Sequence, residues 1–214
     1  MAVGYNPGLF QVLGMLRVEQ LCCARGPREL FRDLSFSADA GDAVIITGPN
    51  GSGKTTLLRA LAGLTSPIAG SVRWKEGDAA GQRAYLGHAA GWKESLSVTE
   101  NLRLAWQLDA ESAANGESAL AAALARVGLE RQRNLPVARL SQGQKKRLHL
   151  ARLSRSTRPL WLLDEPGAAL DDHGIALLAD VVAAHLRQGG VAAIATHQPL
   201  DIAAARTHTV ELGR

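Results

Sequence analysis

At 214 residues the chain has the size of one compact domain with room for an inserted lobe. Hydrophobic residues make up 46% and charged residues 21%, which supplies a core and excludes intrinsic disorder, and no stretch approaches the roughly 20 uninterrupted apolar residues of a membrane-spanning helix. The formal charge of +4 is uneven: Arg131 to Arg158 holds nine Lys or Arg and no acidic residue. Such a stripe can mean nucleic acid, a membrane surface, or nucleotide phosphate together with a solvated helix face, and the last reading is favoured because no aromatic residues interleave with the cations as stacking on single strands requires.

In chain order, residues 1–14 lack the positive start and long apolar core of an export signal. They read as an unstructured extension or as the product of a start placed upstream of Met15. Residues 15–214 read as the domain itself. Strands are expected over Leu16–Leu21, Leu30–Ser37 and Ala43–Thr47, punctuated by Arg25-Gly26-Pro27 and Gly41-Asp42. Cys22 and Cys23 are adjacent, match no disulfide framework, zinc or haem-attachment spacing, and read as packing residues of a chain from a reduced, cytosolic compartment. A helix over Lys54–Ala62 stops at Gly63. Helices then follow over Val98–Leu108, Glu117–Val127 (stopped by Gly128) and Gln142–Leu153, forming a lobe over about residues 97–158. Short apolar runs Leu160–Leu163 and Val191–Ala195 read as buried strands around a helix from Gly174 to Arg187. The alternation predicts an α/β core with a parallel sheet.

Chemistry concentrates in a few segments. Gly48-Pro49-Asn50-Gly51-Ser52-Gly53-Lys54-Thr55, with Thr56 behind it, matches G-x-x-x-x-G-K-[ST] between a strand and a helix. Such a loop turns backbone N–H groups inward and adds the helix N-terminal partial charge, making a phosphate cradle. Lys54 is expected to reach the β- and γ-phosphates and the Thr55 hydroxyl to ligate Mg²⁺. Leu160-Trp161-Leu162-Leu163-Asp164-Glu165-Pro166 delivers Asp164 to the carboxyl end of a strand as a Mg²⁺ holder, and Glu165 to the water that attacks the γ-phosphate. Leu140-Ser141-Gln142-Gly143-Gln144 opens a helix that Ser141 can cap.

Together these segments resemble the ATP-binding subunit of ABC transporters, a family with a signature of LSGGQ type in a helical lobe between the two phosphate motifs. The resemblance implies a P-loop NTPase of ABC ATPase type, α/β with an antiparallel β subdomain and an inserted helical lobe. It implies a homodimer around two Mg-ATP molecules, with Ser141, Gly143 and Gln144 serving the ATP of the opposite subunit. Thr196-His197 follows an apolar run as the family's switch histidine does, which implies that His197 steadies the attacking water. Ala169-Leu170-Asp171 resembles the D-loop that communicates between subunits.

Two positions depart from the general pattern. His88, in Tyr85-Leu86-Gly87-His88, stands where most members have a Mg²⁺-sensing glutamine, and Arg25 stands about where an aromatic residue stacks on adenine. A planar guanidinium can also stack on a ring.

Gly87-His88, Gly91-Trp92-Lys93-Glu94, Leu96-Ser97-Val98-Thr99-Glu100-Asn101-Leu102 and Gly70-Ser71-Val72-Arg73-Trp74 resemble the haem exporter ATPases of cytochrome c maturation. That resemblance implies an ATPase at the cytoplasmic face of the bacterial inner membrane. Its implied partners are an integral membrane, CcmB-like permease subunit and haem-handling maturation proteins, with hydrolysis tied to haem delivery or to release of a haem-loaded periplasmic chaperone. Two alternatives stay open at this level: an ABC transporter ATPase for another substrate, and a soluble ABC ATPase for cofactor assembly.

Overall fold

The computed structural model describes residues 15–74, 82–87, 91–109 and 116–213. The expectations for residues 1–14 and for His88 lie outside these. Two sheets organise the rest. An antiparallel sheet pairs β1 (Leu16–Arg25) with β2 (Arg28–Ala38) and with β4 (Ala69–Trp74), in the order β2-β1-β4. A parallel sheet runs β5-β6-β7-β3-β8, from β3 (Ala43–Thr47), β5 (Arg83–Leu86), β6 (Leu160–Asp164), β7 (Val191–Ala195) and β8 (Thr207–Glu211).

Every residue of β6 and β7 is buried, as strands covered on both faces require. The period of two in a strand then sorts side chains between two cores. Leu160, Leu162, Val191, Ala193, Val44 and Ile46 face the antiparallel sheet and α1 (Lys54–Leu61). Trp161, Leu163, Ala192 and Ile194 face a helical core built from α2 (Val98–Leu108), α3 (Glu117–Arg126), α4 (Gln142–Leu153) and α5 (Asp172–Arg187).

Local chemistry sets the helix boundaries. Ser97 and Ser141 each open a helix with a reciprocal capping box, through Glu100 and Gln144 respectively. Helix α5 begins at Asp172 rather than Gly174, because the Asp171 carboxylate accepts the Gly174 N–H at 2.9 Å and so nucleates the first turn earlier. Strand β1 continues to Arg25, past the expected end at Leu21, because its pairing with β2 carries on through Cys23 and Ala24 to the turn. Strands β4, β5 and β8 are short or half exposed and were not anticipated. Among the described residues, no helix is long and apolar enough to cross a membrane.

The basic stripe acquires partners in three dimensions. Arg152 and Arg158 both reach the Asp109 carboxylate, whose side chain is 7% exposed, at 2.9 and 3.0 Å, and Arg147 pairs with Asp171 at 2.7 Å. Lys145 meets Glu94, and Arg155 lies over the Trp106 ring, 4.9 Å from its centroid.

Candidate functional site

Parallel strands end at one edge of the sheet, and the segments that follow β3, β6 and β7 converge there. After β3 the chain enters the loop Gly48–Gly53 and then α1, whose first turn has no side-chain cap. The N–H groups of that turn lack intrahelical acceptors and are therefore free to bind an anion. Gly48 sits at φ +140°, where a Cβ would lie 2.3 Å from the Leu212 carbonyl oxygen. Only glycine lets the loop pass that close to the strand β8 exit.

A cavity of about 260 Å³ opens over this loop, lined by Asn50, Gly51, Gly53, Lys54, Thr55 and Thr56, and across from them by Asp164, Glu165 and His197. Arg25 and Leu30, from the antiparallel sheet, complete the lining, with Leu30 packed close against Gly53 of the loop. Gly48, Pro49 and His197 continue into an adjoining groove with Thr196 and Gln198. Ser52 is buried, and its Oγ has no partner among the described residues.

Polar contacts across the cavity are short. Thr55 Oγ1 donates to Asp164 Oδ2 at 2.8 Å, over 109 residues of sequence. Lys54 is buried, and its ammonium donates to the Gly48 and Pro49 carbonyls at 2.8 and 3.2 Å and to His197 Nε2 at 2.9 Å. An ammonium has no lone pair, so His197 Nε2 accepts and the imidazole carries its proton on Nδ1. The same Nε2 lies 3.3 Å from Glu165 Oε1. Nε2 can therefore accept from Lys54 or, when protonated, donate to Glu165, but not both.

Glu165 occupies the left-handed region at φ +48°, and so does Ala169 at φ +65°. Its N–H donates to the Ala195 carbonyl at 2.9 Å, which extends the β6–β7 ladder by one residue and aims the side chain at the cavity. Strain of this kind, about 1 to 3 kcal/mol per residue, persists where surrounding contacts over-determine it.

The residues of the third motif stand apart from the cavity, at the start of α4. Ser141 accepts from the Gln144 N–H at 3.2 Å, and the Ser141 N–H donates to Gln144 Oε1 at 2.9 Å. A Cβ on Gly143 would stand 2.7 Å from the Ala169 carbonyl oxygen, so α4 and the 165–171 segment are in close contact. Lys146 reinforces this, donating from Nζ to the Glu165 carbonyl at 2.9 Å. That contact was hidden in the basic stripe, yet the i, i+3, i+4 spacing of Gly143, Lys146 and Arg147 places all three on one helix face.

The donor set fits Mg-ATP. The uncapped helix start and Lys54 suit phosphate, and the Thr55 hydroxyl and Asp164 carboxylate are hard oxygen ligands within one coordination sphere of each other. No group of three or more His, Cys, Asp or Glu placed to hold a metal ion occurs among the described residues. Mg²⁺ needs none, since it takes one or two protein oxygens and completes its shell with water and substrate phosphate.

Comparison with known proteins agrees with this geometry. The description of the ABC transporter family matches residues 31–168. The chain is 50% identical over 190 residues to the "Cytochrome c biogenesis ATP-binding export protein CcmA" of Nitrobacter hamburgensis, covering 86% of this chain and 92% of that protein. It is 42% identical over 206 residues to the protein of the same name from Dechloromonas aromatica, covering 93% and 100%. In fold it resembles a putative ABC transporter ATP-binding protein from Pyrococcus furiosus, with a TM-score of 0.79 at 21% identity over 91% of this chain and 96% of that one. It also resembles a dimeric ATP-binding cassette in a post-hydrolysis state bound to ADP and Pi, with a TM-score of 0.76 at 22% identity over 94% and 97%.

Proposed function

Because the chain belongs to the ABC transporter family, and within it to the cytochrome c biogenesis ATP-binding export proteins, we propose that it is the ATP-hydrolysing subunit of a membrane complex in cytochrome c maturation. The observation that carries this reading is the convergence of Lys54, Thr55, Asp164, Glu165 and His197 on one cavity.

In this reading the loop amides and Lys54 bind the phosphates, and the phosphate oxygens take over the Lys54 protons that otherwise go to Gly48, Pro49 and His197. Thr55 and Asp164 would hold Mg²⁺, which would supply neutralisation of the phosphate charge. Glu165 accepts a proton from the attacking water. With Lys54 turned to phosphate, His197 Nε2 is released to hold the Glu165 carboxylate or the water in place. Arg25, which lines the cavity, is assigned in this reading to stack its planar guanidinium on the adenine.

Two copies assemble head to tail, so that Ser141, Gly143 and Gln144 at the exposed start of α4 meet the γ-phosphate held by the partner subunit. Helices α2–α4 form the lobe that engages an integral membrane permease subunit, CcmB-like by analogy with the relatives' naming. That places the protein peripherally at the cytoplasmic face of the inner membrane, beside haem-handling maturation proteins. His88 is a proposed cofactor-binding residue only by its sequence position, where most members of the family carry a Mg²⁺-sensing glutamine.

Glu165→Gln is the decisive variant. It should bind Mg-ATP as the parent does, lose hydrolysis by at least about 10²-fold and accumulate as a closed dimer. Unchanged steady-state hydrolysis would remove Glu165 from the assigned role. The same variant, tagged and purified from mildly solubilised membranes with ATP, should bring down a polytopic permease and haem-maturation proteins; recovery of a different permease would discard the cytochrome role.

A further inference from the structure

One face of α4 grips the segment that follows β6 at successive points. Lys146 Nζ holds the Glu165 carbonyl at 2.9 Å, Gly143 abuts the Ala169 carbonyl, and Arg147 Nη2 donates to both Asp171 oxygens at 2.7 and 2.8 Å. Glu165 and Ala169, both in the left-handed region, lie inside this bracket. A non-glycine residue in that region relaxes unless its neighbours hold it. For Glu165 the holding bonds on the backbone are three: its N–H donates to the Ala195 carbonyl on one side, and on the other its carbonyl accepts from Lys146 Nζ at 2.9 Å and, more weakly, from the Ala168 N–H at 3.3 Å.

We propose that Lys146 is a positioning residue for hydrolysis, fixing the peptide that follows Glu165 and through it the direction of the Glu165 carboxylate towards His197 and the cavity. The proposal rests on the reading of Glu165 as the group that activates water. Burial pulls the Lys146 ammonium below its usual value, while the charges of Asp164 and Glu165 pull it back up. The ammonium thus stands close enough to both carboxylates to feel them, but its hydrogen bond goes to the backbone. A lysine used in this way does not touch the nucleotide. Its removal should therefore leave binding intact and misdirect the carboxylate, and errors of about 1 Å in a catalytic group cost on the order of 10²-fold in rate.

The test uses the full chain with Mg-ATP and measures three quantities in parallel: nucleotide Kd by displacement of a fluorescent ATP analogue, single-turnover kcat, and thermal midpoint. Lys146→Met should lower kcat by about 10- to 100-fold with Kd within about threefold of the parent. Lys146→Arg, which restores a cationic donor, should recover kcat to within about threefold. Should the Met variant not fold, Lys146→Gln is read by the same criteria. A kcat within twofold of the parent in the Met variant overturns the proposal. So does an Arg variant as impaired as the Met variant, or a loss of kcat that merely tracks Kd and the thermal midpoint, since a scaffold role would move all of these together. Glu165→Gln is run alongside: if it hydrolyses ATP normally the water-activating reading has failed, whereas if it is inactive and Lys146→Met is not, only the positioning role falls.

Discussion

Lys54 Nζ and His197 Nε2, 143 residues apart in sequence, lie 2.9 Å from each other in the lining of the cavity. The contact couples Lys54, the proposed phosphate ligand, to the histidine that also stands 3.3 Å from Glu165. One ring nitrogen faces both a donor and an acceptor, so under the proposed function phosphate arriving at Lys54 would change what His197 can do for Glu165.

His197→Ala should accordingly separate binding from turnover. Hydrolysis is expected to fall about 10²-fold, with Mg-ATP affinity changed only a few-fold. Lys54→Ala, by contrast, removes the charge-assisted bonds to phosphate and should raise the Kd at least about tenfold. Equilibrium titration and single-turnover kinetics on the two variants distinguish these effects; a His197→Ala enzyme that turns over like the parent would place that histidine outside the reaction.

Arg25 is exposed and lines the cavity. If it stacks on adenine, Arg25→Ala should weaken ATP by roughly 0.5 to 1 kcal/mol, about two- to fivefold, and Arg25→Tyr should restore it. Affinity for free triphosphate, which has no base, should be the same in all three proteins; an equal loss for triphosphate would assign Arg25 to phosphate instead.

Gly143→Ala places a methyl group 2.7 Å from the Ala169 carbonyl. A backbone atom cannot yield as a side-chain tip does, so α4 must move away from the 165–171 segment, at a cost of about 1 to 3 kcal/mol. A lowered thermal midpoint together with lost hydrolysis is expected. A variant as stable and active as the parent would show that the close contact is dispensable.

Acid sensitivity should come from two buried histidines. Burial, aided by the Lys146 and Arg152 charges, pulls the His149 imidazole down to about 3. Burial pulls His185 to about 4, against the opposing pull of the Val191 and Pro159 carbonyls. His149 stacks on Trp92 with centroids 4.5 Å apart, and His185 on Trp161 at 3.9 Å. The folded chain keeps both neutral, whereas an unfolded histidine takes up a proton below about pH 6.5. Stability is therefore full above that pH and declines as pH falls towards 4, by up to about 1.4 kcal/mol per pH unit for each ring. Urea unfolding at about pH 7.5 and pH 5 should show the decline, and His149→Gln with His185→Gln should flatten it. An unflattened slope would assign the acid sensitivity to other groups.

What the amino-acid order determined by itself is local. The turn glycines and lysine of Gly48–Thr55, the capping serines at 97 and 141, the all-apolar runs of β6 and β7 and the 3.6-residue spacing of α1, α2 and α4 each act within a dozen residues, so each could be read without its surroundings. Other features were decided by tertiary structure. The edge strand β8 is bounded by pairing with β3 rather than by its own half-exposed pattern. The basic stripe becomes a set of ion pairs only once Asp109, Asp171 and Glu94 are folded against it. Lys146 reaches Glu165, and Lys54 reaches His197, across 19 and 143 residues. A hydrogen bond depends on a few ångströms in space, and distance along the chain carries no information about that until the sheet has brought the ends of β3, β6 and β7 together.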